Sequence, residues 1–390
     1  MSLDTIFQWH EPTLPGSIYV FPIIFQLMRH SLSKTFSFLA LSLSIALASC
    51  SGHGNYMAFT DNVVYVEEFP EKYSLTGAEE VNTGVLGAYD FRIVDSVMVF
   101  MANGAYAWKA VSLDDTSKTC NLLRVGNGPG EVISVSTPSQ VDFYEDGGEI
   151  YCDLFDMNKR EMYRMNFSES LETGQTKGRI VAERLPSLSM AMIALGDSTY
   201  FYKSLVDNMT SYRRSIFKDG ESFTPEWLEA LNSAHVDPGK DFNLLSATTR
   251  YDRSRNMVVE IPVRLNNINL YTLDGSFRKS VNIGSRLSDI DKLQEIDMAE
   301  HPMTFLIVQM YDGFFAAIYL GETVASYLGT RTQMPHIYCF DYEGNPLADI
   351  LLDEQVTSFD FDFEGGWLYV LDQMTDRMWR YALPDGFDLK

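Results

Sequence analysis

The sequence predicts an all-β chain that folds as a six-bladed β-propeller, with an N-terminal strand closing the last blade and short helical insertions. Three observations lead to this prediction. The chain contains 21 Tyr and 25 Phe, residues that suit the pleated, half-buried surface of strands. A unit of two apolar strands around a tight turn recurs six times. The period is near fifty residues, whereas a single sandwich has turn signals about every 8–12 residues and no longer period.

The recurring unit is an alternating apolar strand, a turn with Asp or Gly, and a denser apolar strand. Its turns lie near residues 95, 147, 197, 253, 312 and 365, so 50 to 59 residues separate successive turns. The six units are Phe91–Phe100, Val141–Cys152, Met192–Tyr202, Thr249–Ile261, Phe305–Tyr319 and Phe359–Leu371. An aromatic strand follows in most units, which gives each three or four short strands, as in a propeller blade. A lone blade would leave both sheet faces uncovered, so the units are stable only as neighbours.

The last unit contains one predicted strand fewer than a full blade. Its strands lie near 357–362, 367–372 and 377–383. The segment Asn62–Phe69 (NVVYVEEF), ahead of the first unit, is the predicted missing strand, and its pairing would latch the ring. The alternative is a frayed N-terminal arm.

Two insertions predict helices rather than strands. Thr224 is the predicted N-cap, with Pro225 at the first helical position, of a helix that continues to Ala234. Residues 285–300 are polar and acidic with apolar residues at helical spacing, which predicts a second surface helix. Loops on one face of a propeller are where partners are expected to bind.

The first fifty residues predict a targeting segment. Phe36–Ala48 is an uncharged apolar run that follows Arg29 and Lys34, as in a secretory signal. Its thirteen residues fall short of the roughly 20 that a membrane-spanning helix needs. The sequence from Leu47 to Cys50 resembles a bacterial lipobox, so we expect cleavage before Cys50 and its acylation with diacylglycerol and palmitate-type chains.

This segment sets the predicted domain organisation. Residues 1–27 do not fit a signal and are predicted to be a non-native upstream extension, with the true start at Met28. Residues 28–49 are the predicted lipoprotein signal peptide, 50–60 a tether, and 61–390 the propeller. The residue after Cys50 is not Asp, which by resemblance to lipoprotein sorting rules predicts the outer membrane. A lipid-anchored monomer on its periplasmic face is the expectation.

The net charge of −23 excludes nucleic acid as a partner, because nucleic-acid binders need clustered Lys and Arg. Scattered acids that maintain solubility are favoured over a surface for cationic partners or Ca²⁺. With Cys50 acylated, an odd number of cysteines remains, so no disulfide framework is predicted. Cys152 and Cys339 are predicted to be buried, and a bridge between Cys120 and Cys152 stays open.

The chemistry-bearing residues point to no known catalytic set. His53, His235, His301 and His336 are scattered, which argues against a zinc site. No G-x-S-x-G elbow occurs. The sequence therefore predicts no catalytic residues, no metal site and no cofactor.

A glycine-rich turn carries a family resemblance. It runs from Arg124 to Glu131 (RVGNGPGE) and resembles the G-x-G-P-G-E turn that links the first two blades in TolB-like six-bladed propeller lipoproteins. The resemblance implies the fold, the cell envelope and, by analogy, protein binding. A structural turn is favoured over a phosphate cradle, because Pro129 removes an amide and no Lys-Ser/Thr pair follows. The candidate loop residues are Gly126, Asn127, Gly128, Gly130 and Glu131.

Four aspartates follow apolar strands at similar places in their units: Asp153, Asp156, Asp341 and Asp372. They would either line one mouth of the pore, as carboxylates for glycoside chemistry or a cation, or accept hydrogen bonds from turn amides, which is the favoured interpretation. The function predicted overall is a non-catalytic scaffold for an unidentified envelope protein or peptide. The alternative is a carbohydrate-active or lyase propeller that uses pore-facing carboxylates.

Overall fold

The computed structural model describes residues 60, 62–196, 198–387 and 389. In these residues six small sheets form a ring, and the predicted six-bladed β-propeller is confirmed. Three strands precede the first blade: β1 (Val63–Val66), β2 (Glu71–Leu75) and β3 (Glu79–Glu80). Blades 1 to 3 contain β4 (Ala88–Val94), β5 (Val97–Ala102), β6 (Tyr106–Ser112), β7 (Thr119–Arg124), β8 (Phe143–Asp146), β9 (Glu149–Asp156), β10 (Glu161–Asn166), β11 (Gly178–Ala182), β12 (Ser189–Gly196), β13 (Thr199–Val206), β14 (Ser211–Lys218) and β15 (Glu221–Phe223). Blades 4 to 6 contain β16 (Ala247–Asp252), β17 (Met257–Pro262), β18 (Asn267–Thr272), β19 (Arg278–Ile283), β20 (Pro302–Met310), β21 (Phe314–Thr323), β22 (His336–Asp341), β23 (Pro346–Leu352), β24 (Ser358–Asp362), β25 (Trp367–Asp372) and β26 (Arg377–Ala382).

An N-terminal strand completes the last blade, but it is not the predicted one. The short strand β3 pairs antiparallel with β26 and gives blade 6 its fourth strand. The predicted segment Asn62–Phe69 instead contributes β1, which pairs in parallel with the outer strand β19 of blade 4. Val66 and Phe69 insert between blades 4 and 5, which explains why this apolar segment lies there. Strand β2 adds in parallel to β23 of blade 5.

Each predicted turn joins the first and second strands of a blade. This places the turns on one face of the ring, which we call the hairpin face. Its described turn residues are 95–96, 147–148, 198, 253–256, 311–313 and 363–366. Because neighbouring strands in a blade run antiparallel, the chain leaves each blade on the opposite side. We call that side the connection face. Its links between blades are residues 81–87, 125–142, 183–188, 224–246, 284–301 and 353–357.

The core consists of six apolar clusters, and one lies between each pair of neighbouring blades. Blades 1 and 2 share the cluster around Trp108, and blades 5 and 6 the cluster around Phe359. The seam between blades 6 and 1 contains Phe91, Phe100 and Tyr369. Burial of apolar surface on both faces of every blade stabilises the ring as one unit.

Alternation along the strands sends neighbouring residues into different clusters. Phe314 packs between blades 5 and 6, whereas Phe315 packs between blades 4 and 5. Val258 and Val259 separate in the same way into the clusters on either side of blade 4. Successive strand residues point to opposite faces, and both faces are covered. The inner strands therefore appear in the sequence as dense apolar runs.

The helices are short and lie in loops. They are α1 (Phe167–Thr173), α2 (Glu226–Asn232), α3 (Ile290–Leu293) and α4 (Val324–Leu328). Helix α2 begins after Pro225, so the prediction that Thr224 is the N-cap is wrong. The Thr224 hydroxyl instead contacts Arg213 and Ser215. Within 285–300 the predicted surface helix is reduced to the single turn α3 and a 3₁₀ turn, Met298–Glu300.

Within the part of the chain that the structure describes, no helix has the length and hydropathy needed to cross a membrane. Among the same residues, no three His, Cys, Asp or Glu side chains lie together as a metal-binding group. Cys120, Cys152 and Cys339 are free thiols. Cys152 and Cys339 are fully buried, as predicted, and burial raises the pKa of both thiols.

Candidate functional site

The glycine-rich turn lies on the connection face between blades 1 and 2 and folds back on itself. The Glu131 carboxylate accepts the Gly128 amide at 2.8 Å and lies 3.3 Å from Arg124 Nε. A Cβ at Gly126 would lie 2.1 Å from the Glu131 carboxylate, and one at Gly128 2.9 Å from it. Glycine is therefore required at both positions for the carboxylate to approach. Gly130 has a φ of +75°, which favours glycine as well.

Two of the predicted aspartates bind loops together on the connection face. Asp156 ends β9 and accepts the amides of Ile133 at 2.6 Å and Lys159 at 3.1 Å. Asp372 ends β25 and accepts two hydrogen bonds from Arg331 Nη1, at 2.9 and 2.8 Å. Each carboxylate joins a turn of its own blade to the loop of the preceding blade, and both are almost fully buried.

The other two predicted aspartates lie elsewhere, so the four do not line one mouth of the pore. Asp341 ends the third strand of its blade, which places it on the hairpin face, and it accepts the Asn345 amide at 2.7 Å. Asp153 lies within β9 and accepts Arg164 Nε at 2.7 Å. The prediction that the four aspartates occupy comparable positions in their blades was wrong. Asp341 ends a third strand, which runs opposite to the second strands that end at Asp156 and Asp372. Asp153 lies inside a strand rather than at its end.

A cavity of about 440 Å³ opens at the hairpin-face end of the central channel. Four arginines line it, and they come from blades 1 and 4: Arg92, Arg250, Arg253 and Arg255. Aromatic and acidic side chains complete the wall: Phe143, Tyr144, Tyr251, Tyr311, Asp142, Asp252 and Asp312. We call this the arginine pocket. Its four arginines and three aspartates give the lining a formal charge of +1 in a chain of net charge −23.

The arginines of this pocket differ in how well they are paired. Arg255 lies 2.7 Å from Asp252 and 2.8 Å from Asp312, so its charge is balanced. Arg253 lies over the Tyr144 ring at 4.7 Å and reaches two carboxylates, Asp142 at 3.4 Å and Asp153 at 3.7 Å. The remaining two, in the described part of the chain, have no carboxylate within ion-pair distance.

Arg250 is the least satisfied of the four. It is 4% exposed, and its Nε and Nη1 have no hydrogen-bond partner among the described residues. Burial and, to a smaller extent, the charge of Arg92 lower its pKa to about 9, although the nearby carboxyls oppose the shift. The group remains protonated at neutral pH. A buried cation without a partner is costly, so its position against a cavity calls for an explanation.

The carboxyls that act on Arg250 electrostatically are those of Asp142, Asp90 and Asp360, and none of them lies within ion-pair distance of it. Asp90 accepts the Ser139 amide at 2.9 Å and the Ser358 hydroxyl at 3.1 Å. Asp360 accepts the Ile93 amide at 2.7 Å. Neither lines the pocket. Burial raises the pKa of both carboxyls and that of Asp142, which disfavours their charged forms.

The arginine pocket was not predicted from the sequence. Arg250, Arg253 and Arg255 lie in the hairpin of blade 4, TRYDRSRN, the only one of the six hairpin units with three arginines. That local excess of arginine was the available signal. Arg92, 158 residues earlier in the chain, faces the same space only because the ring closes.

The connection face has a different character from the hairpin face. Of the seventeen large apolar residues exposed in the described chain, thirteen lie on the connection face. They are Leu86, Tyr106, Val125, Ile133, Met157, Leu188, Met190, Met209, Ile296, Met298, Leu328, Met334 and Met374. We call this set the apolar loop set. Leu86 is 81% exposed, and Leu188 and Leu328 are each 65% exposed.

Contacts between loops connect much of this set. Gly87 donates to Asp376 at 3.0 Å, which joins the loop of Leu86 to the turn that contains Met374. Arg331 pairs with Asp372 and so joins that turn to the loop of Leu328. Met157 N donates to Ser134 O at 2.9 Å beside Ile133. The exposed apolar side chains are therefore carried on loops that are held in place.

Comparison with known proteins shows similarity in fold alone. A member of the DUF4221 family from Bacteroides vulgatus is 9% identical, covers 78% of this chain and 95% of its own, and has a TM-score of 0.49. A putative exported protein from Bacteroides fragilis is 8% identical over 82% of this chain and 98% of its own, with a TM-score of 0.46. A luciferin-regenerating enzyme is 12% identical over 80% and 96%, with a TM-score of 0.42. No protein-family model and no curated protein sequence matches the chain.

Proposed function

We propose that this chain is a non-catalytic, lipid-anchored propeller of the cell envelope, and that it binds a protein partner through the connection face. The observation that carries the proposal is the concentration of exposed apolar side chains on that face. Isolated exposed apolar residues are ordinary on a protein surface, but a face rich in them is typical of an interaction site. The resemblance of the glycine-rich turn to TolB-like lipoproteins is consistent with this role.

The composition of the face supports a protein partner. Six of the thirteen residues in the apolar loop set are methionines, whose flexible side chains adapt to the surface of a partner. Leu86, Leu188 and Leu328 are carried by blades or links on different sides of the ring, so a partner would contact several blades. Methionine is enriched at the centres of protein interfaces.

Charge argues against a lipid surface as the occupant. The link 284–301 contains Ile296 and Met298 of the apolar loop set, together with five acids and two bases. Anionic headgroups attract basic segments and repel acidic ones. A partner with apolar and basic side chains fits this face better than a membrane does.

The described chain enters the ring on the side opposite the proposed docking face. Thr60 donates to the Arg278 carbonyl at 3.1 Å, and Arg278 begins β19 at the hairpin face. The first described residue therefore leaves the connection face uncovered.

The test is site-specific crosslinking in the native cell envelope. Leu86→Ser and Leu328→Ser combined are expected to abolish one dominant crosslinked protein, because both side chains leave the interface. Tyr65→Ser is the matched control, since Tyr65 is 48% exposed on the outer edge strand β1. Exposed substitutions alter stability by about 0.5 kcal/mol or less, so all variants are expected to fold.

Two outcomes would contradict the proposal. One is the same crosslinked partner in the wild type and the double variant. The other is binding of the unacylated protein to liposomes that is lost in the double variant, which would make the face a membrane surface. Replacement of Cys50 by Ser is expected to release the protein from the membrane fraction, and retention there would disprove the lipid anchor.

A further inference from the structure

We propose that the arginine pocket is a binding site for a ligand that presents one carboxylate flanked by hydroxyl or ammonium groups. This site lies on the hairpin face, on the other side of the ring from the proposed protein-docking face. It therefore goes beyond the function proposed above. Three features of the pocket carry the inference: its unpaired arginines, the placement of its acids and its size.

The unpaired arginines call for an anion. Arg92 and Arg250 have no carboxylate within ion-pair distance among the described residues, whereas Arg253 reaches Asp142 at 3.4 Å and Asp153 at 3.7 Å. Arg92 donates to the Gln309 side chain at 2.5 Å and to the Met310 carbonyl at 3.3 Å, both neutral acceptors. Arginines are the side chains best suited to hold carboxylate oxygens.

Arg250 is the central element of the site. It lines the large cavity and also the small cavity of about 30 Å³ that continues toward blades 2 and 3. Its buried guanidinium has two nitrogens without partners in the described chain. An anion in the pocket would give Arg250 the direct ion pair that the described residues do not supply, and the low-dielectric surroundings would strengthen the attraction.

The acids of the pocket favour a single negative charge on the ligand. Asp142 faces the cavity beside Arg253, and Asp252 and Asp312 are held by Arg255 at its rim. A phosphate dianion would be repelled by these carboxylates. A monovalent carboxylate is repelled less, and hydroxyl or ammonium groups next to it would donate to the same acids.

The volume and the aromatic wall set the size of the ligand. A cavity of about 440 Å³ falls within the range of about 300–1,000 Å³ that is typical of small-molecule sites. Tyr144, Tyr251 and Tyr311 form an aromatic part of the wall. A sugar acid and the carboxyl terminus of a peptide both present the required chemistry.

Calorimetry on the purified full-length chain at low ionic strength tests the site. Glucuronate is paired with neutral glucose, and a short peptide with a free carboxyl terminus is paired with its amidated form. Inorganic phosphate is the third probe. We expect at least one carboxylate probe to bind while its neutral counterpart does not. Added salt is expected to weaken the binding.

Substitutions connect the binding to the pocket. Arg250→Gln is expected to lower the affinity by about tenfold or more, because it removes a buried charge that would contact the ligand. Arg179→Gln is the matched control, since Arg179 is exposed on the outer strand β11, and it is expected to bind as the wild type does. If thermal unfolding shows that Arg250→Gln does not fold, Arg253→Gln at the rim replaces it in the binding test. The same loss of affinity is expected for this variant.

The proposal is overturned if neither carboxylate probe binds, or if the neutral counterparts bind equally well. Tighter binding of phosphate than of both carboxylates would also overturn the ligand class. Unchanged affinity in a folded Arg250→Gln variant would show that the probe does not bind in the arginine pocket. None of these results bears on the proposed protein-binding role, because the arginine pocket contains no residue of the apolar loop set.

Discussion

At the scale of single residues, the seam between blades 3 and 4 contains buried charge. Arg214 donates to Glu260 through Nε at 2.9 Å, and both side chains are almost fully buried. Burial acts to raise the pKa of Glu260, but the charges of Arg214 and Lys203 outweigh it, so the pKa is lowered. Tyr271 donates a further hydrogen bond to the same carboxylate.

Removal of one partner from this pair is expected to destabilise the protein strongly. Glu260→Ala leaves the Arg214 guanidinium buried without its counter-ion, at a cost of about 3–5 kcal/mol in the free energy of unfolding. Glu229→Ala is the control, because Glu229 pairs with the adjacent Arg213 at the surface, where such pairs contribute about 1 kcal/mol or less. Urea unfolding measures both. Equal losses in the free energy of unfolding would show that the buried pair contributes no more to stability than the surface pair does.

Lys203 makes stability depend on pH. Its ammonium donates to the Ala247 carbonyl at 2.6 Å and to the Thr249 hydroxyl at 2.9 Å. Burial lowers its pKa to about 8, although the charge of Glu260 opposes the shift. Between pH 8 and the unfolded value of about 10.4, the unfolded chain binds more protons than the native one, so this residue makes the protein more stable as pH rises.

The prediction is that Lys203→Met removes this part of the pH dependence. Between pH 8 and about 10, the free energy of unfolding is expected to rise more steeply with pH for the wild type than for the variant. This range lies below the pH at which the tyrosines of the unfolded chain are fully ionised. Chemical denaturation at several pH values measures it. Parallel profiles for the two proteins would contradict the assignment of the shifted pKa to Lys203.

At the scale of elements, the N-terminal strands are edge additions rather than parts of hairpins. Strand β1 has one buried side chain, Val66, and Tyr65 beside it is exposed. Val66→Asp is expected to detach β1 by burying a charge between blades 4 and 5, at a cost of about 2 kcal/mol or more. Limited proteolysis before Glu71 is expected to become faster.

The control for this prediction is the neighbouring residue. Tyr65→Asp places the same charge one position earlier, on the solvent side of the strand, because side chains alternate. Its proteolysis pattern is expected to match that of the wild type. Equal cleavage of both variants would show that β1 is held by its backbone pairing alone.

The sequence predicted the hairpins well because each carries its own local signal. A turn residue at a fixed place between apolar strands marks all six, including Gly147 with its φ of +62°. The edge strands carry no such signal: β1 and β2 pair in parallel with partners more than 200 residues away, and β3 is only two residues long. The helix limits also differed from the prediction, because Pro225 and the tertiary contacts of Thr224 set them.

At the scale of the whole molecule, the seam between blades 6 and 1 closes the ring. Phe91 is fully buried there and stacks with Phe100 at 5.7 Å. Phe91→Ala is expected to cost about 3–5 kcal/mol and to leave a single unfolding transition, because each blade depends on its neighbours. Calorimetric and circular-dichroism transitions that coincide would confirm one cooperative unit.

A comparison within the ring tests whether the closing seam is special. Phe315→Ala between blades 4 and 5 removes a side chain of equal size from a seam that lies in the middle of the chain. We expect a loss similar to that of Phe91→Ala. A much smaller loss for Phe91→Ala, or two separated transitions, would show that the ring opens at its ends before it unfolds.

The candidate sites were less accessible to sequence reasoning than the fold. Asp156 and Asp372 were selected correctly as residues that end a strand, but their partners Ile133 and Arg331 belong to other loops. The arginine pocket depends on which strand of each blade is innermost and on which blades face one another. These relations arise only when the ring closes, and no local pattern encodes them.

The path of the N-terminal segment has a consequence for the order of assembly. Strand β1 is synthesised before any blade, yet its partner β19 follows more than 200 residues later, and β3 must wait for β26. At about 5–20 residues per second, these first strands stay unpaired for tens of seconds while their partners are made. The strands β1, β2 and β3 are thus unpaired for most of translation, and until their partners are made each is open to pairing with another chain.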